Sequence, residues 1–498
     1  MSFVFQGLEI DRISFGSQVE NAFSMLWLSI DNALNLLCSS DQENYTALSK
    51  ILALVQVLFG YVKGGSGSSF DWTSDLGSRF EKFCYSRRNI LSLICSQNIS
   101  RLSGSMNMLL YHPRKILDFE TKKAFFEHKV RSETRSYSRE MGTRLSVRRD
   151  CIFEDSFHQL MAMTSSELRY PITVKFFGEE GVDAGGLTRE WFLVLSREIF
   201  NPDYLLFRSA ANNQSVFQPN KFSYWNPDHL SYFEFVGKFV GKAIADGHLL
   251  DAFFTRSFYK HILGIPPSMT DMESLDPEYF KSLKWILDNP IDGCLDLTFS
   301  AEMDEFGVTK VVDLKPFDRN VKVTDNNKGE YVRLVTDLKM TQEILNQISA
   351  FLKGFRSLIP AELVSIFNDH ELELLISGLP TIDVQDLRSN TEYRGLSEDS
   401  ETVQWFWQVV FALDPKDLAL LLQFVTGTSK VPLDGFKNLR GMNGNQRFQI
   451  QQAQGTDRLP VAHTCFNQLD LPHYSSKAVL EEKLLTAIRE CSEGFQFA

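Results

Sequence analysis

Leu459-Pro-Val-Ala-His-Thr-Cys-Phe-Asn-Gln-Leu-Asp-Leu471 holds one cysteine, Cys465, between the pair His463-Thr464 and the ring of Phe466. Leu459-Pro460 and Leu471-Pro472 break helix on both sides, so the cysteine is expected on a loop or short strand. A thiol presented there can be reached by a large partner. In an extended segment His463 would share a face with Cys465 and raise its thiolate fraction. That fraction matters, because a thiol of pKa about 8.5 is only a few per cent ionised at neutral pH. The stretch alone leaves two readings open: a small buried hydrophobe, as most free cysteines are, or a nucleophile. For a nucleophile in such sparse surroundings, thioester exchange fits better than peptide hydrolysis. Exchange is close to isoenergetic and needs no activated water, whereas hydrolysis demands a stronger base and an oxyanion hole.

The rest of the composition narrows the class. A chain of 498 residues predicts about three domains or lobes. With 43% hydrophobic and 23% charged residues, it can build large cores. The net charge of −12 lacks the basic footprint of a nucleic-acid binder. Cysteines at 38, 84, 95, 151, 294, 465 and 491 are odd in number and widely spaced, with no Cys-x-x-Cys. Neither a disulfide framework nor a metal site is expected, and no cofactor is called for. The opening residues Met1 to Glu9 lack the pattern of a signal peptide. The longest apolar run, Ile51 to Val62, falls short of the about 20 residues a membrane span needs. These features point to a soluble protein of a reducing compartment.

Upstream of the cysteine, Ser389 to Ser400 is polar and nearly devoid of core residues, so it reads as a hinge at 389–400 between two lobes. Helices are expected at Glu401 to Leu413 and at Pro415 to Val425, the second capped by Asp414. A strand is expected near Phe448 to Ile450, and a last helix over Ser476 to Glu490. Two aromatics, Phe495 and Phe497, sit in a tail where polar residues are usual.

Earlier still, helical periodicity marks Thr341 to Phe355, Asp369 to Ser377, Leu187 to Ile199, and a helix opened by Asn226-Pro227. Strands are expected at Tyr170 to Phe177, Leu295 to Phe299, Val311 to Leu314 and Val321 to Val323, giving a small mixed subdomain from about 270 to 340. Arg131 to Arg149 is strongly basic and reads as a solvated helix face and loop, or as a docking surface. The acidic glycine loop Gly178 to Gly186 would repel phosphate and reads as a tight turn. Residues 1–114 read as a helical extension, with a flexible linker at 64–69.

Taken together, several stretches resemble one family. They are Leu459 to Pro472, Thr391-Glu-Tyr, Gln404-Trp-Phe-Trp, Gln423-Phe-Val-Thr-Gly-Thr-Ser, Gly441-Met-Asn-Gly, Asp457-Arg-Leu-Pro, Asn226-Pro-Asp-His-Leu-Ser-Tyr-Phe and Glu371 to Pro380. The set is similar to the HECT-type E3 ubiquitin ligases from about residue 115 to the C-terminus. Phe254 to Gly264 is closest to the giant Mule/Tom/UPL subgroup.

The resemblance implies an α+β, bilobed fold: an N-lobe over 115–388 that receives an E2 conjugating enzyme, and a C-lobe over 401–498. Ubiquitin would pass from the E2 to Cys465 as a glycyl thioester and then to a lysine of a protein substrate, with His463, Thr464 and Phe495 in support. Tyr279, Leu283, Leu295, Leu297 and Tyr331 align with E2-contact positions. Gln496 stands where the family commonly has glycine. Neither membrane nor nucleic acid is an expected partner, and the expected location is cytoplasmic and nuclear. Because the giant members carry long preceding regions, the chain reads as part of a longer protein or as a short form. The competing expectations are an inactive scaffold and a cysteine protease or deubiquitinase.

Overall fold

The computed structural model describes residues 84–111, 116–134, 143–179, 186–211, 213–305, 308–315, 320–378, 382–426, 431, 435–441 and 444–492, with scattered positions before 83. The linker at 64–69 and most of the helices expected before it lie outside the described residues. The chain forms two compact units, Met1–Lys129 and Val130–Ala498. In the first, α1 (Arg88–Gln97) buries Leu91, Ile94 and Cys95. Asp118 caps α2 (Phe119–Thr134), its carboxylate accepting from Thr121 N at 2.7 Å. The division between the units falls inside α2 rather than ahead of it.

In the second unit, β1 (Thr143–Val147) pairs in parallel with β2 (Ile172–Phe176), connected by α3 (Ile152–Ala162). The basic stretch expected as a helix face or loop is therefore partly a strand. Leu145 and Val147 alternate into the core between outward polar residues, a two-residue period that the surrounding arginines conceal. Next come α4 (Gly186–Glu198) and a hairpin of β3 (Phe207–Ala210) with β4 (Asn213–Pro219), which the periodicity did not announce. Then α5 (His229–Asp246) runs through the core, followed by α6 (Arg256–Leu263), α7 (Met272–Leu275) and α8 (Pro277–Asp288). Asn226 accepts from Asp228 N at 3.1 Å just ahead of α5.

β5 (Ser300–Glu305) and β6 (Val308–Asp313) form an antiparallel hairpin. The strand expected over Leu295 to Phe299 is thus displaced towards the C-terminus. Phe299 is core and Leu295 exposed, so the apparent alternation was only part of a loop entering the hairpin. Likewise Val321 to Val323 contributes one isolated bridge, Thr298 to Lys322, instead of a strand. With α9 (Lys328–Met340) these elements enclose a small core of Leu283, Ile286, Ile291, Phe299, Tyr331 and Val335.

The main helical contact is between α5 and α10 (Leu345–Arg356). A Cβ added at Gly237 would sit 2.0 Å from Phe351 O, and one at Gly354 would sit 1.9 Å from Glu234 O. Only glycine lets the two backbones come this close. α11 (Asp369–Ser377) follows, with a capping box between Asn368 and Glu371, and ends at Gly378 with φ +73°.

The second core of this unit begins before the stretch expected to be the hinge. Leu387 on α12 (Val384–Ser389) is buried there, and Tyr393 on β7 (Thr391–Arg394) packs against it. β7 pairs in parallel with β8 (Phe448–Thr456), from Phe448↔Thr391 to Gln451↔Arg394. Residues Thr391–Arg394 therefore belong to the C-terminal lobe, because their backbone hydrogen bonds close its sheet. Gly378 ends the last helix of the first core, and Ile382 already packs against the second.

Helices α13 (Glu401–Ala412) and α14 (Pro415–Thr426) follow, with Asp414 capping α14 through Lys416 N and Asp417 N. The sheet is completed by β9 (Val461–His463) and β10 (Gln468–His473), in the order β9-β10-β8-β7. Finally α15 (Lys477–Ser492) buries Leu480, Leu484 and Ile488 against it.

Candidate active site

Cys465 occupies the connection between β9 and β10. Thr464, Cys465 and Phe466 form one 3₁₀ turn, so Cys465 lies on a short connection outside any long helix, where the flanking prolines led one to expect a loop or short strand. Asn467 closes the turn in the left-handed region, with φ +49°, which asparagine tolerates better than most residues. It is almost fully buried. Its Nδ2 donates to Gln446 O at 2.7 Å, and its carbonyl accepts from Gln449 N at 2.8 Å. The turn is thus pinned to β8. Asn467 was not among the expected site residues, and the readable signal was an asparagine immediately after the turn.

His463 ends β9 directly opposite Gln468. Its Nε2 lies 3.0 Å from Asp470 Oδ2, and Gln468 Nε2 donates to Asp470 Oδ1 at 2.6 Å. Asp470 therefore orients the imidazole from the neighbouring strand. Thr464 Oγ1 donates to Glu273 Oε1 of α7 at 3.0 Å. The Lys281 ammonium on α8 stands 4.5 Å from the centroid of the Phe466 ring. A third link between the lobes joins Gln423 Nε2 of α14 to His370 Nδ1 on α11. Burial lowers the imidazole pKa of His370, leaving it neutral at pH 7 and able to accept.

The five expected E2-contact residues divide. Leu283 and Tyr331 belong to the small core, with Tyr279 and Leu297 packed against it, whereas Leu295 is exposed. Burial pushes the Tyr279 phenol up, and Lys339 Nζ stands 4.5 Å from the centroid of its ring. On the outer face of α8, Trp285 is 48% exposed, a residue the sequence reading passed over. Phe495 and Gln496 lie outside the described residues. Among the described residues no group of three His, Cys, Asp or Glu side chains could hold a metal. No described helix is long and apolar enough to cross a membrane.

The arrangement is a cysteine on a pinned turn in a small α/β lobe beside a larger helical lobe. The HECT-domain (ubiquitin-transferase) family profile matches residues 193–498, and the chain belongs to that family. It is 52% identical over 427 residues to E3 ubiquitin-protein ligase UPL1 of Arabidopsis thaliana, covering 84% of this chain and 12% of that protein. It is 49% identical over 422 residues to E3 ubiquitin-protein ligase HUWE1 of Mus musculus, covering 84% of this chain and 10% of that protein. E3 ubiquitin-protein ligase ptr1 of Schizosaccharomyces pombe is 44% identical over 490 residues, 96% of this chain and 15% of its own length. The chain therefore spans a small fraction of the relatives it matches, and those relatives form the Mule/Tom/UPL subgroup anticipated from its motifs.

Proposed function

We propose that this chain carries the transferase activity of an E3 ubiquitin ligase, with Cys465 as acceptor. The observation that carries the reading is the turn Thr464–Phe466, held by Asn467 at the end of a hairpin. In the first step the Cys465 thiolate attacks the glycyl carbonyl of the E2 thioester. A new C–S bond forms, the old one breaks, and the E2 cysteine leaves as thiolate. In the second step the neutral amine of a substrate lysine attacks the new thioester. A C–N bond forms, Cys465 leaves as thiolate, and the proton lost by the nitrogen balances it as thiol. Neither step consumes water or an oxidant.

The E2 docks on the small subdomain, where Trp285 and Leu295 offer exposed apolar surface. The buried residues Leu283 and Tyr331 support that surface without touching the partner. The interval 378–382 serves as the pivot between the lobes, in place of 389–400. Phe495 assists from the C-terminal tail. The cytoplasm and nucleus suit this chemistry, because reducing compartments preserve free thiols.

The test is incubation with E1, a panel of E2 enzymes, ATP and ubiquitin, followed by gels with and without reductant. A thiol-sensitive ubiquitin adduct that disappears in Cys465→Ala supports the ligase. No adduct with any E2 overturns it in favour of a scaffold, and cleavage of ubiquitin conjugates without E2 would indicate a protease.

A further inference from the structure

The residues on either side of Cys465 both touch the same short segment of the larger lobe. Thr464 reaches Glu273 on α7 at 3.0 Å, and Phe466 lies under Lys281 on α8. Consecutive Cα atoms are about 3.8 Å apart, so these two contacts bracket the thiol-bearing residue. Two contacts from opposite flanks fix a turn's orientation, whereas one would leave it free to rotate.

We infer, on the reading of Cys465 as acceptor, that Glu273 and Lys281 are positioning residues that seat the loaded turn on the larger lobe for discharge to lysine, and not for charging from the E2.

Two features favour the second step. The seat is built from this chain alone, so it needs no E2 to form. A carboxylate close to the turn also draws in the cationic side chain of a lysine acceptor before it loses its proton. Lys281 is itself 3.7 Å from Glu278, so its part is mainly the ring contact and its charge is offset. Glu273 and Thr464 are both half-buried, where a hydrogen bond to a charged acceptor has more weight than at a fully exposed site.

The experiment charges the full chain with ubiquitin in a single round, quenches the E2, and chases the adduct with free lysine. Charging and discharge rates are read separately for the unmodified chain, Glu273→Ala, Glu273→Gln and Lys281→Ala. We expect Glu273→Ala to slow discharge about threefold to tenfold with charging at least as fast as before. Glu273→Gln, whose amide oxygen still accepts from Thr464, should recover most of the loss, and Lys281→Ala should fall between. Equal slowing of both steps, or a Gln variant as slow as the Ala variant, overturns the inference. Normal charging with unchanged discharge in Glu273→Ala overturns it alone. Failure of the unmodified chain to charge overturns the Cys465 reading as well.

Discussion

His463 Nε2 lies 3.0 Å from Asp470 Oδ2 across the β9–β10 hairpin, so the imidazole two residues before Cys465 is oriented by a carboxylate seven residues away. A carboxylate only accepts, so Nε2 is the donor in this pair. Because the ring is 46% exposed, the pair is worth at most about 1 kcal/mol, or about fivefold in rate. We expect His463→Ala and Asp470→Ala each to slow charging of Cys465 by about twofold to fivefold. If the aspartate acts through the histidine, the double variant will be no slower than either single one. Rapid-quench measurement of adduct formation checks this, and multiplied effects would show that the two act independently.

Much of the fold could be read from local periodicity. Strong helical patterns placed α4, α10, α11, α13, α14 and α15 close to their observed bounds, and proline placement put Cys465 outside any long helix. What the sequence concealed was decided by long-range pairing. Thr391–Arg394 is polar enough to look like a linker, yet its backbone finds partners in Phe448–Gln451, more than fifty residues on. The same holds for Thr143–Val147, whose outward side chains include arginine while Leu145 and Val147 face inward. Around the turn, the motif singled out Cys465, His463 and Thr464 as candidates. Glu273 was not, because 191 positions separate it from Thr464 and only the packing of the lobes brings them together.

Surface and core within the small subdomain should respond differently to truncation. Trp285 is half-exposed on α8, and Leu283, two residues earlier, is 2% exposed in the core beneath. Trp285→Ala is expected to weaken E2 coupling while leaving the melting temperature almost unchanged, raising the E2 concentration for half-maximal charging about tenfold. Leu283→Ala should instead destabilise the subdomain by about 2–5 kcal/mol. Titrating the E2 in a charging assay, alongside thermal unfolding of each variant, separates the two. Equal losses of stability would remove Trp285 from the docking surface.

The close crossing of α5 and α10 makes a sharp stability prediction. At Gly354 a methyl group would meet Glu234 O at 1.9 Å and Lys238 N at 2.9 Å. Backbone atoms of a packed helix cannot turn aside as a side chain would. Gly354→Ala should cost about 1–3 kcal/mol or more, even though alanine is the better helix former by about 1 kcal/mol. Denaturant unfolding tests it; a neutral or stabilised variant would mean the helices can separate at little cost.

The crossing between the cores gives the last prediction. Prolines at Arg394 and Gly395 would have tested a hinge at 389–400, but Arg394 pairs with Gln451 and Gly395 has φ +70°. Proline holds φ near about −65° and donates no hydrogen bond. Arg394→Pro with Gly395→Pro should therefore destabilise the C-terminal lobe itself. Stiffening the interval 378–382 is the informative change: Leu379→Pro with Thr381→Pro makes three prolines in succession, a run that favours the extended polyproline form. If Cys465 must travel between an E2 and a lysine, this variant should charge at least about fivefold more slowly, a barrier increase of about 1 kcal/mol. E2 affinity and the unfolding temperature of the C-terminal lobe should be unchanged. Rapid-quench charging with E2 titration measures both, and unaltered charging would place the motion elsewhere in the chain.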